Sequence, residues 1–533
     1  MKAIGIILAA AALLSGSAAG GAAAIGDRVT LGGKLAVAFY DPHPESGMEG
    51  GETYSLTTDE GKYELVLGDE IIEAAGGLRN LTARPLAVTG RSLVADGRRV
   101  LVEGVRATGE PLEPPDRGTT GPQPYVWLLF RFADIPDTQH TVEYVEGLAE
   151  GPWPSVDHYW NEVSYGNMNC QGSDVFGWFV MPHDRDFYVW DLDNDGEGDT
   201  ILGDSIRIHA LAVADFDVDF TQYAGINICF NAWLDCCSWG MRDQLTLDGE
   251  TRYWGLTYLA IWGWENQSVA AHEMGHALAW LPHSRTPYED ELWGSKWDLM
   301  SWKGGMENVV HPDYGIVGQH PIAFQKYDAD LGWIHPAHQY YLPTTPAMAT
   351  IRLHDLAEIP PAGRYLVAGV YQYEDPPKYY TVETRRFTGY DACVPAEAAV
   401  IHEVQPGRRE PAWMIDYDGD GDPYDGGSYF VAGEALSDPG DGIVITVNGE
   451  DGNSSVVTLT NMGRSTVFVN GSFGGYESGS ATNPWNTMIE GHSGTFDGGT
   501  ISVAPGSYPE GLIVARPLTI QRWGSTGTVV IGE

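Results

Sequence analysis

The stretch HEMGHALAWLPHS, residues 272–284, places two histidines four residues apart in a segment with helical character. Ser268 is the expected N-cap of that helix, and Pro282 prevents the helix from continuing. At this spacing His272 and His276 share one helix face, so both Nε2 atoms can reach a single zinc ion. Glu273 lies about 100° round the helix, where it can meet a metal-bound water. The motif therefore predicts two zinc ligands and a general base.

His283 is the expected third zinc ligand. The metzincin pattern places the third histidine six residues after the second, with a glycine between them at which the chain reverses. Here Ala279 stands at the glycine position, and His283 is seven residues after His276. We expect an extra partial turn before Pro282 to absorb the additional residue. The alternative is an acidic ligand from the following segment: Glu289, Asp290 or Glu291.

Met300, in the segment KWDLMSW at residues 296–302, is expected to form a Met-turn, an apolar floor beneath the zinc. With three protein ligands, a water would fill the fourth zinc position and its pKa would fall to about 7. Glu273 could then take its proton while zinc polarises a substrate carbonyl. These residues together predict hydrolysis of a peptide bond.

The composition limits the classes of partner. Of the 533 residues, 73 are acidic and 30 are basic, which gives a net charge of −43. Such a charge repels nucleic acids and anionic membranes and favours bound cations. We therefore expect protein or peptide substrates and no nucleic-acid partner.

The first residues predict export. Residues 1–24 combine Lys2, an apolar run and small residues, as in a cleaved signal peptide, so we expect a secreted, extracellular or cell-surface protein. No later stretch is long and apolar enough to predict a transmembrane segment after signal removal. Five cysteines would then meet an oxidising compartment. Bonding between the neighbours Cys236 and Cys237 would strain the ring, so pairing with Cys170 or Cys229 is preferred.

The pattern along the chain predicts a multidomain α+β protein. The N-terminal β segment could be a small folding or docking domain or a removable propeptide, although it has no cysteine with which to block a zinc ion. The predicted parts are a signal peptide (1–24), a small N-terminal β domain (25–108), a Pro- and Gly-rich linker (109–124), a zincin-like α/β catalytic domain (125–335), a β-rich region with an acidic loop (336–463) and a truncated parallel β-helix (464–533).

Two acidic segments are candidates for structural calcium. Alternating carboxylates can converge on one Ca²⁺, and without a cation they repel each other. The alternative for each segment is a solvated acidic turn or loop. The candidate ligands are Asp191, Asp193, Asp195 and Asp199 in DLDNDGEGD, and Asp416, Asp418, Asp420 and Asp422 in DYDGDGDPYDGG.

Several ordered stretches between about residues 125 and 462 resemble the immune inhibitor A family of secreted bacterial metallopeptidases. The resemblance implies a zincin-like catalytic domain, zinc endopeptidase activity and accessory calcium sites, with His272 and His276 as ligands and Glu273 as the base. Family members often have an aspartate where His283 stands. The stretches are VWLLFRFADIPDT, SVDHYWNEVSYGNM, HALAVADFDVDFTQY, HEMGHALAWLPHS, WDLMSW and AFQKYDADLGWI.

Near the C-terminus, GGTISVAPGSYPEGLIV resembles one coil of pectin-lyase-like β-helices in architecture only. Two functional hypotheses follow from the whole sequence. The first is a secreted zinc endopeptidase. The second is a non-catalytic, calcium-stabilised surface or adhesion protein that retains a zincin scaffold. The altered spacing of His283 favours the second, whereas the intact Glu273 and Met300 favour the first.

Overall fold

A computed structural model describes residues 24–43, 50–82, 84–109, 120–190, 200–287, 294–301, 309–327, 331–342, 346–371, 378–420, 422, 425–439, 442–475, 477 and 479–532. The predicted signal peptide, apart from residue 24, lies outside these ranges, as does the first acidic segment at 191–199. Among the described residues, no helix combines the length and the hydrophobicity that crossing a membrane requires.

The N-terminal unit is a β-sheet that carries two short helices. Along β1, buried and less buried residues alternate from Leu35 to Asp41, as expected for a strand with one face against a core. That core is separate from the others in the chain and includes Leu56, Leu65 and Val88. The elements are β1 (Arg28–Pro42), β2 (Gly51–Thr58), β3 (Gly61–Val66), α1 (Asp69–Ala74), α2 (Leu78–Thr82), β4 (Pro85–Ser92) and β5 (Arg99–Ala107).

The central unit is an α/β layer structure in which strand β12 is buried along its whole length and strand β7 is buried at every position but its last, as is typical of parallel strands covered on both faces. Its elements are β6 (Gly121–Pro122), β7 (Tyr125–Arg131), α3 (Val142–Glu150), α4 (Val156–Val163), β8 (Met168–Asn169), β9 (Asp174–Val180), α5 (Arg185–Tyr188), β10 (Val189–Trp190), β11 (Thr200–Ile201), α6 (Gly203–Ala214), β12 (Gly225–Phe230), β13 (Cys237–Leu247), β14 (Glu250–Leu259), α7 (Ile261–Trp264), α8 (Gln267–Ala279), β15 (Val310–His311), β16 (Gly315–Ile316) and α9 (Ala323–Tyr327).

One ten-stranded sheet joins these two units, in the order β2-β3-β5-β4-β1-β13-β14-β12-β7-β9. Strands β14, β12, β7 and β9 are parallel neighbours, and β13 runs antiparallel to β14. Strand β1 pairs antiparallel with β13 over residues 38–42. Within the central unit β13 is therefore the outermost strand, and β1 covers its free edge.

The β-rich region is a pair of sheets packed on one core that includes Ile351, Val382, Ile401 and Val457. Its strands are β17 (Gln339–Leu342), β18 (Ala347–His354), β19 (Val367–Tyr371), β20 (Tyr379–Arg385), β21 (Ala398–Val404), β22 (Ala412–Met414), β23 (Ala435–Asp438), β24 (Ile443–Glu450) and β25 (Ser454–Asn461).

The C-terminal segment forms two small parallel sheets, β26-β27-β29 and β28-β30, around a core of its own. Parallel pairing across intervening turns is the arrangement found between successive coils of a β-helix. The elements are β26 (Arg464–Val469), α10 (Met488–Ser493), β27 (Thr495–Val503), β28 (Gly506–Tyr508), β29 (Thr519–Arg522) and β30 (Val529–Ile531). Short 3₁₀ turns elsewhere span Phe220–Gln222, Pro336–His338, Gly389–Cys393 and Gly426–Ser428.

Two local predictions are wrong. The N-cap of α8 is Asn266 and not Ser268, which lies inside the first turn. Cys236 and Cys237 form a disulfide with each other, with a Cα–Cα distance of 3.7 Å. The expected partners Cys170 and Cys229 are buried free thiols in the same hydrophobic core. The bridge lies directly before and at the start of β13, so the ring between adjacent residues is accommodated at a strand end.

Candidate metal centre

Glycines allow helix α8 to pack closely against β13 on one side and against Met300 on the other. A Cβ on Gly240 of β13 would lie 2.4 Å from the Glu273 carbonyl oxygen and 2.9 Å from Cβ of His276. A Cβ on Gly275 would lie 2.6 Å from Sδ of Met300. Real Cβ atoms do not approach so closely, so larger residues here would push the helix away from the strand and from the Met300 turn.

The three predicted histidine ligands converge. His276 Nε2 lies 3.2 Å from His272 Nε2 and 3.0 Å from His283 Nε2. Three nitrogens bound to one tetrahedral zinc at 2.0–2.1 Å would be separated by about 3.3 Å. The observed spacing is close to that value, and all three side chains are buried.

Two of these rings are fixed so that an unprotonated nitrogen faces the common centre. His272 Nδ1 lies 2.7 Å from the Leu299 carbonyl oxygen, and His276 Nδ1 lies 2.6 Å from the Leu281 carbonyl oxygen. A carbonyl oxygen only accepts, so Nδ1 is the donor in each ring, and in the neutral tautomer that a metal ligand requires Nε2 presents the lone pair. Converging lone pairs repel each other without a cation, so the donor set fits a zinc ion.

His283 reaches the centre because the chain reverses one residue later than the metzincin pattern places the glycine. Helix α8 ends at Ala279, and Trp280 adopts the left-handed conformation with φ of 54°. The added residue is therefore an extra helical residue before the reversal, as the predicted partial turn requires. From Trp280 to His283 the distance is three residues, the same as from the glycine to the third histidine in that pattern.

Asp298 fixes the turn beneath the helix. Its fully buried carboxylate accepts a hydrogen bond from Ser284 Oγ at 2.6 Å, directly after His283 in the chain. It also accepts hydrogen bonds from the backbone N–H of Met300 at 3.1 Å and of Ile322 at 3.2 Å. One carboxylate thus joins the loop of the third histidine to the predicted Met-turn. The sequence analysis named Met300 but did not single out Asp298.

A fourth donor comes from the N-terminal unit and was missed by the sequence analysis. Asp41 on β1 is fully buried, with its carboxylate oxygens 3.2 Å from His272 Nε2, 3.5 Å from His283 Nε2 and 3.7 Å from His276 Nε2. Glu52 on β2 lies 3.8 Å from His283 Nδ1. The sequence did contain one signal: Asp41 falls in the buried row with Leu35, Val37 and Phe39, where a charge is unexpected.

Charges in this cluster shift the pKa values in opposite directions. Burial, reinforced by the neighbouring His283, lowers the pKa of His276 to about 3. Burial alone would also lower the pKa of His283, but Asp41 and Glu52 raise it to about 9. Burial would raise the pKa of the Asp41 carboxyl, whereas His272 and His283 hold it well below its usual range. Asp41 is therefore ionised and His283 is protonated in the cation-free centre, and a divalent cation bound to His283 Nε2 would displace that proton.

The other predicted site residues fall into three groups. Asp416, Asp418 and Asp420 place carboxylate oxygens within 4.8 Å of one another at the surface, and Asp422 follows them. The proposed ligands between Asp191 and Asp199, and the alternative zinc ligands between Glu289 and Glu291, lie outside the described residues. Glu273 is fully buried on α8, beside the histidine ligands in sequence.

Comparison with known proteins does not identify this site. No protein-family model matches the chain. No curated protein matches it in sequence.

Proposed function

We propose that this chain is a secreted zinc endopeptidase similar to the immune inhibitor A metallopeptidases. The observation that carries the proposal is the convergence of the Nε2 atoms of His272, His276 and His283, the first two of which lie on the helix that also carries Glu273. A zinc ion bound there would supply a Lewis acid that acidifies a water and polarises a carbonyl. His272, His276 and His283 would hold it, and the carbonyls of Leu299 and Leu281 would keep two of the rings in the correct tautomer.

Glu273 is the residue placed to move protons. It follows His272 and so lies about 100° round the helix, beside the ligand face rather than on it. Its carboxylate can take a proton from the attacking water and deliver it to the leaving amine.

Strand β13 is the element suited to hold the substrate. Its edge runs beside α8, where Gly240 lies in contact with the backbone of Glu273 and with His276. An extended peptide can add to such an edge through main-chain hydrogen bonds, which select for chain conformation more than for sequence. The proposal therefore names unfolded or extended protein segments as the substrate class.

The test measures metal content and peptide hydrolysis separately. Wild type and Glu273→Gln are purified, their zinc is quantified, and casein hydrolysis is followed before and after limited proteolysis. We expect about one zinc per chain in both proteins and hydrolysis by wild type alone. Zinc binding without hydrolysis by any proteolysed form of wild type would refute the peptidase function and favour the scaffold-only alternative.

A further inference from the structure

Strand β1 lies in the position that an extended substrate would take. It pairs antiparallel with β13, with Ala38 opposite Met241, Phe39 opposite Gly240 and Asp41 opposite Ser238. The pairing continues through the His43 N–H, which donates to the Cys236 carbonyl oxygen at 2.9 Å. This is strand addition to a sheet edge, the same mode by which such an edge binds a peptide.

Alternate side chains of β1 point at the metal centre. The Phe39 ring stacks on His276, with ring centroids 4.0 Å apart and an angle of 6° between the planes. It also meets His283 edge-on at 5.2 Å. Two residues later, the Asp41 carboxylate lies within 3.7 Å of all three histidine Nε2 atoms. On a bound zinc, a carboxylate at that point would take the coordination position that catalysis requires for water.

Covering by β1 closes the centre to solvent. His272 and Glu273 have no exposed surface, His276 is 1% exposed and His283 is 3% exposed. A peptide cannot reach groups buried to this degree without displacement of the covering strand. The arrangement is thus a closed form of the proposed catalytic site.

The N-terminal unit is built as a body that can be removed. Its hydrophobic core is separate from the cores of the central unit. Side-chain contacts across the boundary include charged pairs at the rim, such as Lys62 with Asp204 at 2.9 Å and Arg409 with Asp69 at 2.5 Å. Exposed pairs of this kind contribute about 0–1 kcal/mol each.

Two cavities also interrupt that boundary. One, of about 370 Å³, is lined by residues of both sides, among them Phe39, His276 and Trp280. The other, of about 730 Å³, lies between the N-terminal unit and α6 and includes Lys62 and Asp204 in its lining. Apart from the pairing of β1 with β13 and the contacts of Phe39 and Asp41 with the histidines, two bodies separated by such cavities lose fewer dispersion contacts when they part than the halves of a continuous core would.

We propose that β1 is an internal, substrate-like inhibitor, in which Asp41 occupies the fourth metal position and residues 38–42 fill the peptide groove on β13. The chain is then a latent precursor, activated when the N-terminal unit leaves. The activating step is hydrolysis of one peptide bond between the units, with water added across the C–N bond, by another peptidase or a second copy of this chain. This inference rests on the proposed zinc endopeptidase function.

The first experiment tests whether Asp41 occupies the fourth coordination position of the metal, by a measurement that does not depend on catalysis. Cobalt(II) replaces zinc in the full-length chain, and the visible absorption is followed as acetohydroxamic acid, a metal-binding probe, is added. We expect a Glu64→Gln control, which alters an exposed carboxylate of the same unit, to resist the probe as wild type does. Asp41→Asn should bind the probe at least about tenfold more tightly. Equal affinity in wild type and Asp41→Asn would overturn the assignment of Asp41.

The second experiment tests removal of the covering strand. A recognition sequence for a site-specific protease is inserted between residues 109 and 124 of wild type and of Glu273→Gln, and the N-terminal unit is separated after cleavage. If the open form is at most about 1% populated in the intact chain, cleavage should raise hydrolysis of a quenched peptide about 100-fold or more. The cleaved Glu273→Gln protein should stay inactive.

The outcomes separate this inference from the function on which it rests. Full activity of the intact chain, with no gain on removal of the N-terminal unit, would overturn the latency and leave the peptidase function standing. Failure of every form, intact or cleaved, to hydrolyse peptides while holding zinc would overturn the peptidase function. In that case the cobalt spectra would still report whether Asp41 occupies the metal position.

Discussion

Replacing Asp298 by alanine should loosen the loop that carries the third histidine. The carboxylate accepts a hydrogen bond from Ser284 Oγ at 2.6 Å. It also accepts hydrogen bonds from backbone N–H groups at 3.1 and 3.2 Å, and it is fully buried. Asp298→Ala removes the acceptor of three buried donors, each of which costs about 1–3 kcal/mol when unsatisfied. With some relief from water that enters the space, we expect a loss of about 3–6 kcal/mol in the free energy of unfolding.

The same change should weaken zinc binding about 10–100-fold, because residues that orient metal ligands contribute affinity of this size. Unfolding in urea, followed by tryptophan fluorescence, gives the stability, and competition with a chelator gives the zinc affinity. Asp298→Asn is the matched control, since its amide oxygen can keep both backbone hydrogen bonds and the Ser284 hydroxyl can rotate to accept. If Asp298→Ala equals wild type in both measurements, the assigned role of Asp298 is wrong.

Three further predictions concern other parts of the chain. Gly240→Ala should cost about 1–3 kcal/mol of unfolding free energy in urea titrations, because its Cβ would lie 2.4 Å from the Glu273 carbonyl oxygen. No extra loss relative to Gly203→Ala, whose Cβ meets nothing within 4 Å, would contradict this. Burial lowers the pKa of Lys326 to about 7. Between about pH 7 and 10 the unfolded chain therefore binds more protons than the folded chain, and the stability rises with pH across that window. Lys326→Met should flatten this rise, measured as the urea concentration at the midpoint of unfolding. Parallel pH profiles for wild type and Lys326→Met would refute the prediction. Calcium at about 100 times its Kd should stabilise wild type by about 2.7 kcal/mol in thermal melts. Asp418→Asn should lose this gain. If calcium shifts the melting temperatures of wild type and Asp418→Asn equally, the acidic loop is excluded as the calcium site.

Local sequence patterns predicted the helix of the metal centre and the meeting of its three histidines. The spacing of His272 and His276 is fixed by helix geometry, and Pro282 ends any helix within a few residues. The third histidine needed only a short loop, so a local argument could reach it. The sequence left uncertain the residue at which the chain reverses. That residue depended on whether Trp280 could adopt a left-handed conformation, which favours glycine.

Contacts between distant parts of the chain could not be predicted in this way. Asp41 meets the histidines because β1 pairs with a strand some 200 residues later, and neither strand specifies its partner in its own sequence. From the sequence, only a cysteine was considered as the group that could block the zinc ion, and a carboxylate was not considered. The disulfide between Cys236 and Cys237 was excluded on general ring strain, a rule that the local backbone at the start of β13 overrides.

The position of β1 in the ten-stranded sheet also bears on the solubility of any form that lacks it. Without β1, the edge of β13 would present unpaired N–H and C=O groups, which are a template for pairing with another chain as well as with a substrate. The whole chain carries a net charge of −43, which opposes the approach of identical copies. A strongly acidic surface would therefore help to keep copies apart in a form in which the β13 edge is exposed.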